Sequence, residues 1–428
     1  MKVLMFGWEF PPHISGGLGT ASFGLTKAMH QLGTDIIFVV PKLYGDEDSS
    51  MFTLQDADSV EYRHYDKEVQ KLMEKIQYLE IESSLVPYLD PEQYERFLHD
   101  YEERTVKNEK YKGSTGFQFS GKYGVNLIDE VNRYAFVAGL IASKQEFDLI
   151  HAHDWLTFSA GIAAKEISGK PLVIHVHATE YDRSGENVNQ AVFKIEKRGM
   201  ERADRIITVS KLTRNTLVDK YKINPKKIVT VYNAVEQNET QKQISSIKGV
   251  NEKIVTFLGR ITFQKGPEYF IEAARKVLKV NPNVRFVMAG SGDMYHGMIE
   301  RVAQLGIADR FHFTGFLRGD DVIKMYQLSD VYVMPSVSEP FGISPLEAMR
   351  SNVPVIISKQ SGVSEVLKHA IKIDFWDVDA LADSIHAMLN YTSISEMFSR
   401  LGKEEVETFK WENSANKVLD VYDTLGLN

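Results

Sequence analysis

Two carboxylates eight positions apart, Glu339 and Glu347, are the side chains of this sequence best placed to do chemistry. They bracket the run Ser338-Glu339-Pro340-Phe341-Gly342-Ile343-Ser344-Pro345-Leu346-Glu347, which follows the apolar, β-branched stretch Val331-Tyr332-Val333-Met334-Pro335. That stretch predicts a buried parallel strand, and the apolar-periodic segment after the run predicts a helix. One acid then lies in the loop leaving a strand and the other in the first turn of the next helix. Ligands of open α/β sheets bind in that crevice. Gly342 lets the backbone approach a ligand, and Ser344-Pro345 opens a helix whose free N–H groups can hold phosphate. Hydroxyl-binding groups at both ends, with phosphate-binding amides between, suit a nucleotide sugar. Ser344-Pro345-Leu346-Glu347 also fits a capping box, in which the glutamate bonds back to the start of its own helix. Glu347 therefore carries two readings, ribose-hydroxyl ligand and cap. Glu339 has no cap to explain it.

Arg260 and Lys265 stand on a second strand-to-helix connection, Gly259-Arg260-Ile261-Thr262-Phe263-Gln264-Lys265-Gly266-Pro267. A guanidinium fork and an ammonium point charge on one loop can clamp a diphosphate and offset charge growing on a departing nucleoside diphosphate. The bland alternative is two solvated loop cations. Near the N-terminus, Gly16-Gly17-Leu18-Gly19 precedes a helical stripe and could cradle phosphate, although it is not the full dinucleotide fingerprint. His151-Ala152-His153-Asp154-Trp155 and His175-Val176-His177-Ala178-Thr179-Glu180 both end strands. Alternate histidines put their rings on one sheet face. With no third ligand at a helical spacing, metal is not expected. The expectation is that one histidine of each pair packs in the sheet while His177 and Asp154 reach the crevice.

The elements that must position these residues form two alternating series. The first has strands at Val3–Phe6, Ile36–Val40, Asp148–His151, Leu172–Val176, Arg205–Val209 and Ile228–Tyr232, with helices between them. Residues 46–112 interrupt it and read as a helical, acidic insertion. Residues 236–251, polar and aperiodic, read as a linker. The second series has strands at Ile254–Leu258, Val284–Met288, Phe311–Phe313, Val331–Met334 and Val355–Ile357, and helices close the chain. Strand-helix alternation in both halves predicts an α/β protein of two parallel-sheet domains facing each other. The first spans about 1–240 and the second 250–408, with a final helix at 409–428 bracing them.

Composition agrees with that outline. A chain of 428 residues, 43% hydrophobic and 25% charged, suits a globular protein of more than one domain. The absence of cysteine excludes thiol catalysis and thiolate metal sites. No apolar run is long enough for a membrane span, and the N-terminal apolar stretch, broken by Glu9, is too short for a signal peptide. Cytoplasmic location is the expectation. A net charge of −8 argues against nucleic acid as a partner. The charge is uneven, with 18 acidic against 8 basic residues between 45 and 110, as expected of a solvated decoration.

Taken together, these motifs resemble the GT-B glycosyltransferases, specifically the retaining nucleotide-sugar group that contains the glycogen and starch synthases and the related group 1 transferases. The resemblance covers nearly the whole chain except 46–112. It implies two Rossmann-like domains around a central cleft, a nucleotide-sugar donor and no metal cofactor. It also implies that Arg260 and Lys265 grip the donor diphosphate, that Glu339 meets sugar hydroxyls and that Glu347 meets the ribose. The amides of Phe341, Gly342, Ile343 and Ser344 would reach the distal phosphate or sugar, alongside Gly16 and Gly17. His177 would face the transferred sugar, Asp154 the acceptor, and Gly290 and Phe316 would border the nucleobase. One departure is that bacterial glycogen synthases carry a lysine where this chain has Ile14, which moves the donor expectation from ADP-glucose toward UDP- or GDP-sugars.

The reading that follows is a retaining hexosyltransferase, glycogen-synthase-like, adding glucose from UDP- or ADP-glucose to an α-glucan. Its rivals are a transferase of another hexose to a lipid-linked or small-sugar acceptor, a sugar-nucleotide epimerase of the same fold, and a silent carbohydrate-binding subunit. An acidic insertion in place of a basic amphipathic face disfavours a lipid acceptor. Oligomerisation is left open.

Overall fold

The computed structural model describes residues 1–13, 16–60, 117, 119–121, 123, 127–236 and 252–426. Runs of Val, Ile, Leu and Phe form strands buried on both faces, as parallel sheets covered by helices require. The first sheet contains β1 (Lys2–Phe6), β2 (Asp35–Val40), β3 (Thr53–Asp56), β4 (Leu149–His153), β5 (Leu172–Val176), β6 (Arg205–Thr208) and β7 (Ile228–Thr230). Its order is β3-β2-β1-β4-β5-β6-β7, and each neighbouring pair is parallel. The second sheet contains β8 (Lys253–Leu258), β9 (Val284–Ala289), β10 (Phe311–Gly315), β11 (Val331–Met334), β12 (Val355–Ser358) and β13 (Ile371–Ile373). It is also parallel, in the order β10-β9-β8-β11-β12-β13.

In each sheet the winding direction reverses once, between β1 and β4 and between β8 and β11. At such a switch point two neighbouring loops diverge and leave a crevice at the carboxyl ends of the strands. In the first sheet those loops carry Gly16 and Asp154. In the second they carry Arg260–Lys265 and Glu339. The topology alone thus gathers most of the expected site residues at two crevices.

Two strands depart from the expected pattern. Thr53–Asp56 lies inside the segment expected to be a helical insertion, yet it pairs with β2 at the sheet edge. Its four residues carry one aliphatic side chain and are exposed or half-buried, so no apolar alternation announces it. The three-residue β13 is too short to register as a period. Residues 61–116, most of the expected insertion, lie outside the described residues, as does most of the linker. So does the position of Ile14.

The closing helices divide their packing between the sheets. Val378–Asn390 packs on Pro267–Val280 in the second domain, and Thr392–Val406 on Ser344–Arg350. The last helix, Trp411–Asp423, crosses to the first domain and packs on Gly17–Gln31. The approach is close: a Cβ on Gly24 would fall 2.5 Å from the Trp411 ring. Among the described residues no helix is long and apolar enough to cross a membrane.

Candidate active site

The loop after β11 is clamped from both sides. The Val337 N–H donates to the Gln264 carbonyl at 2.9 Å, and Glu339 N–H donates to the Gln360 carbonyl at 2.9 Å. Gly362 and Val363 N–H groups return bonds to the carbonyls of Glu339 and Phe341 at 2.8 and 2.7 Å. Gly266 turns the first loop with a φ of 65°, and a Cβ there would lie 2.2 Å from the Pro335 carbonyl oxygen. Only glycine fits. This scaffold brings Lys265 and Glu339 together as an ion pair with side chains 19% and 8% exposed. Lys265 is therefore not a solvated loop cation. Arg260 reaches back to Gln264, at 3.4 Å from its Oε1, and its charge offsets part of the rise that burial imposes on the Asp293 carboxyl.

The expected capping box is absent. The N-cap position is Ile343, with no side-chain cap. Ser344 Oγ lies 2.9 Å from the Tyr332 hydroxyl, and the Glu347 carboxylate accepts from Tyr326 at 3.1 Å. Two tyrosines from elsewhere in the fold take the groups that would have closed the box. Burial raises the Glu347 carboxyl above its ordinary value, with Tyr326 and Arg350 opposing that rise. The capping account of Glu347 falls away. A helix start leaves its first amides without intrahelical acceptors, which puts those of Gly342, Ile343 and Ser344 between Glu339 and Glu347. Gly342 has a φ of 101°. The Phe341 side chain is buried beside Tyr232, so only its backbone can meet a ligand.

Gly290 follows β9 with a φ of 145°, and a Cβ there would sit 1.8 Å from the Gly259 carbonyl oxygen. Phe316 follows β10 and is 47% exposed, with the Arg318 guanidinium 5.2 Å from its ring centre. Gly16 is the N-cap of the helix Gly17–Gln31, which begins inside the glycine run rather than after it. Nothing lies within 4 Å of a Cβ on Gly16 or Gly17, so packing does not demand glycine there.

On the first domain, His151, His153, His175 and His177 form a ladder on one face of β4 and β5. Rings 151 and 153 stack at 4.4 Å, as do 175 and 177. His151 Nδ1 bonds the Tyr422 hydroxyl of the last helix, and His153 Nδ1 lies 3.0 Å from His177 Nε2. Burial pushes the His151 and His177 imidazoles down to about 3, so the ladder is neutral near pH 7. One nitrogen from each of His151, His153 and His175 lies within 4.8 Å of the others, so the two strands bring together three possible metal ligands that sequence spacing did not announce. Asp154 follows the ladder with a φ of 64°, an outlier for a residue with a side chain. Its Oδ1 accepts weakly from Ala178 N–H at 3.4 Å. Burial raises its carboxyl to about 6, against the opposing charge of Arg183 and backbone bonds.

Three groups were not singled out by sequence reasoning. Arg183 bridges Glu180 at 3.0 Å and Glu196, which also accepts from Tyr221. Asp182 accepts from Ser338 across the two domains at 2.6 Å. Glu365 of the second domain accepts from the amides of Lys211 and Leu212 at 3.0 and 2.7 Å, capping a first-domain helix. The short segment Glu180–Ser184, just after the histidine motif, was the only local sign of the first two.

Two doubly wound sheets joined across their carboxyl ends, with cations and carboxylates on the crossing loops, define the GT-B fold. Residues 237–405 match the family described as glycosyl transferases group 1, and residues 109–239 match glycosyltransferase family 4. Together the two matches span residues 109–405, and they make the chain similar to group 1 glycosyltransferases. It is 28% identical to a glycosyltransferase of Methanocaldococcus jannaschii described as uncharacterized, over 99% of this chain and 98% of that one. It is 28% identical to D-inositol 3-phosphate glycosyltransferase of Salinispora tropica over 67% of each. With glycogen synthase of Mycobacterium tuberculosis it shares 22% identity over 99% of this chain and 94% of that one. Sucrose-phosphate synthase from Thermosynechococcus elongatus shares the fold, with a TM-score of 0.72, 18% identity and coverage of 99% and 98%. The names of these proteins point to different substrates, and with the solved structure the chain shares the fold.

Proposed function

We propose that this chain transfers glucose from UDP- or ADP-glucose to an α-glucan with retention of the anomeric configuration. The observation that carries the reading is the Lys265–Glu339 ion pair, on the loop that also carries Arg260, at the switch point of the second sheet. In that pair a phosphate-binding cation and a hydroxyl-binding carboxylate meet, as they must where a diphosphate joins a sugar. Glu347 takes the ribose, and the amides from Phe341 to Ser344 take the distal phosphate or the sugar. Gly290 and Phe316 border the base, with Gly16 and Gly17 closing on the phosphates from the first domain.

The reaction breaks the bond between sugar C1 and the phosphate oxygen and forms the bond from C1 to the acceptor oxygen on the same face. The acceptor proton passes to the departing phosphate oxygen. Arg260 and Lys265 stabilise the charge that develops there, a role that needs no metal. His177, held neutral by burial, is a hydrogen-bond partner for the sugar rather than a cation, and Asp154 orients the acceptor. Domain closure excludes water, which competes with the acceptor.

A second reading, transfer to a small phosphorylated polyol, draws on the similarity to D-inositol 3-phosphate glycosyltransferase. Incubating UDP-glucose or ADP-glucose with glycogen, and in parallel with inositol phosphate, separates the two. Nucleoside diphosphate release that depends on glycogen, with an α-linked product by NMR, supports the glucan. Release that depends only on inositol phosphate sinks it.

A further inference from the structure

The chain has four tryptophans. Trp8, Trp155 and Trp411 are 3%, 0% and 6% exposed, whereas Trp376 is 58% exposed. It stands in the turn between β13 and the helix Val378–Asn390. Its ring meets Phe375 edge-on, with centres 4.8 Å apart, and Phe375 meets Tyr269 edge-on at 5.0 Å. The turn is built firmly. Asp374 accepts from Lys359 at 2.8 Å and from Gln360 at 3.0 Å, and Asp377 caps the helix by accepting from Ala380 N–H at 2.9 Å.

The same turn is tied to the donor-side loops. The Gln360 carbonyl that holds Glu339 N–H belongs to the residue whose side chain fixes Asp374. The Tyr269 ring lies 3.2 Å from where a Cβ on Gly266 would be, one residue after Lys265. Two ion pairs flank the rings, Lys359 with Asp374 and Lys276 with Asp379, and the Asp377 carboxylate caps the helix beside them. The patch therefore offers an exposed indole, backed by two half-buried rings and rimmed by hydrogen-bonding groups, with no excess of cations. A phosphate-rich polymer gains nothing there. A neutral chain of pyranose rings, each with a C–H face and a rim of hydroxyls, matches it.

We propose that Trp376, supported by Phe375 and Tyr269, is a stacking platform for a neutral glycan chain, holding an extended acceptor on the second domain outside the reacting centre. That the chain is an α-glucan rests on the function proposed above. The test is native electrophoresis of the full chain, without donor, through gels containing glycogen, with Trp376→Ala run alongside and circular dichroism confirming its fold. Glycogen should retard the wild type, and Trp376→Ala should weaken retardation roughly 10-fold, the scale of one lost stacking contact. In transfer assays the variant should raise KM for glycogen and leave kcat and KM for maltose unchanged. Equal retardation of wild type and variant, or a wild type that glycogen does not retard, overturns the platform. Retardation that depends on Trp376 without any transfer to glucan keeps the platform and overturns the proposed reaction instead.

Discussion

Ser338 donates its hydroxyl to Asp182 at 2.6 Å, and so joins the two domains one residue away from Glu339. Asp182 uses its other oxygen to close a capping box with Thr179, taking the Thr179 N–H at 2.7 Å, so the acid is fixed before Ser338 reaches it. The bond links the first domain to the Glu339 loop of the second.

Ser338→Ala should therefore loosen closure without unfolding either domain. A hydrogen bond to a charged acceptor contributes about 1.5–3 kcal/mol, so donor KM should rise on the order of 10-fold. Donor hydrolysis without acceptor should rise relative to transfer, because an open cleft admits water. Steady-state kinetics with donor alone and with glycogen measure both. An unchanged ratio of hydrolysis to transfer would show that the bond does not govern closure.

The phosphate clamp separates turnover from stability. Arg260→Ala and Lys265→Ala should each lower kcat more than about 100-fold, as loss of an electrostatic stabiliser does. Lys265→Ala should also lower Tm, because it strands Glu339, 6% exposed, without its cation. Removing one partner of a buried pair costs about 3–5 kcal/mol. Lys265→Ala with Glu339→Gln should restore Tm and leave turnover low. Near-normal kcat in either single variant would remove the cations from the mechanism.

Glu347 is held by Tyr326 rather than by its own helix start, which changes what its variants test. Glu347→Gln keeps an acceptor for the Tyr326 hydroxyl, so Tm should hold while donor KM rises about 10-fold with loss of the ribose ligand. Thermal melts and donor titrations decide it. Full donor affinity in the Gln variant would leave the residue a purely structural partner of Tyr326.

Stability should fall on acidification, and the histidine ladder sets the window. Burial, with some mutual repulsion, holds all four imidazoles below their ordinary value, His151 and His177 at about 3. Between roughly pH 6.5 and 3 the unfolded chain takes up protons that the folded ladder refuses, so stability present above 6.5 is lost below it. Asp154 at about 6 and Glu196 at about 7, both raised by burial, act the other way. They hold protons that the unfolded chain has released, and their contribution falls as pH rises from about 4 to 7. Glu347 and Asp293, also raised by burial, act with them, but the four imidazoles are shifted further and outweigh these carboxyls. His175→Leu should shrink the drop in Tm between pH 7 and pH 4, and melts at both values measure it. Parallel curves for wild type and variant would show that the ladder is not responsible.

The α/β architecture of two parallel sheets was legible in the sequence because it is written in short-range periodicity. Ile36–Val40, Leu172–Val176 and Val331–Met334 are apolar runs that can be satisfied only by burial on both faces. The glycines at 266, 290 and 342 and the carboxylates at 339 and 347 likewise declared where loops must turn and polar groups must gather. Partner choice was not legible. Lys265 and Glu339 are 74 residues apart, and Asp182 and Ser338 are 156 apart. The capping box at Ser344–Glu347 was locally sound, yet the hydroxyls of Tyr332 and Tyr326 claimed its two side chains. The last helix was visible as a helix, but only packing decided that it returns to the first domain and that Tyr422 bonds His151. Local pattern determines which segments must be buried; which buried groups then meet depends on the sheets' winding, and no short window of sequence contains that.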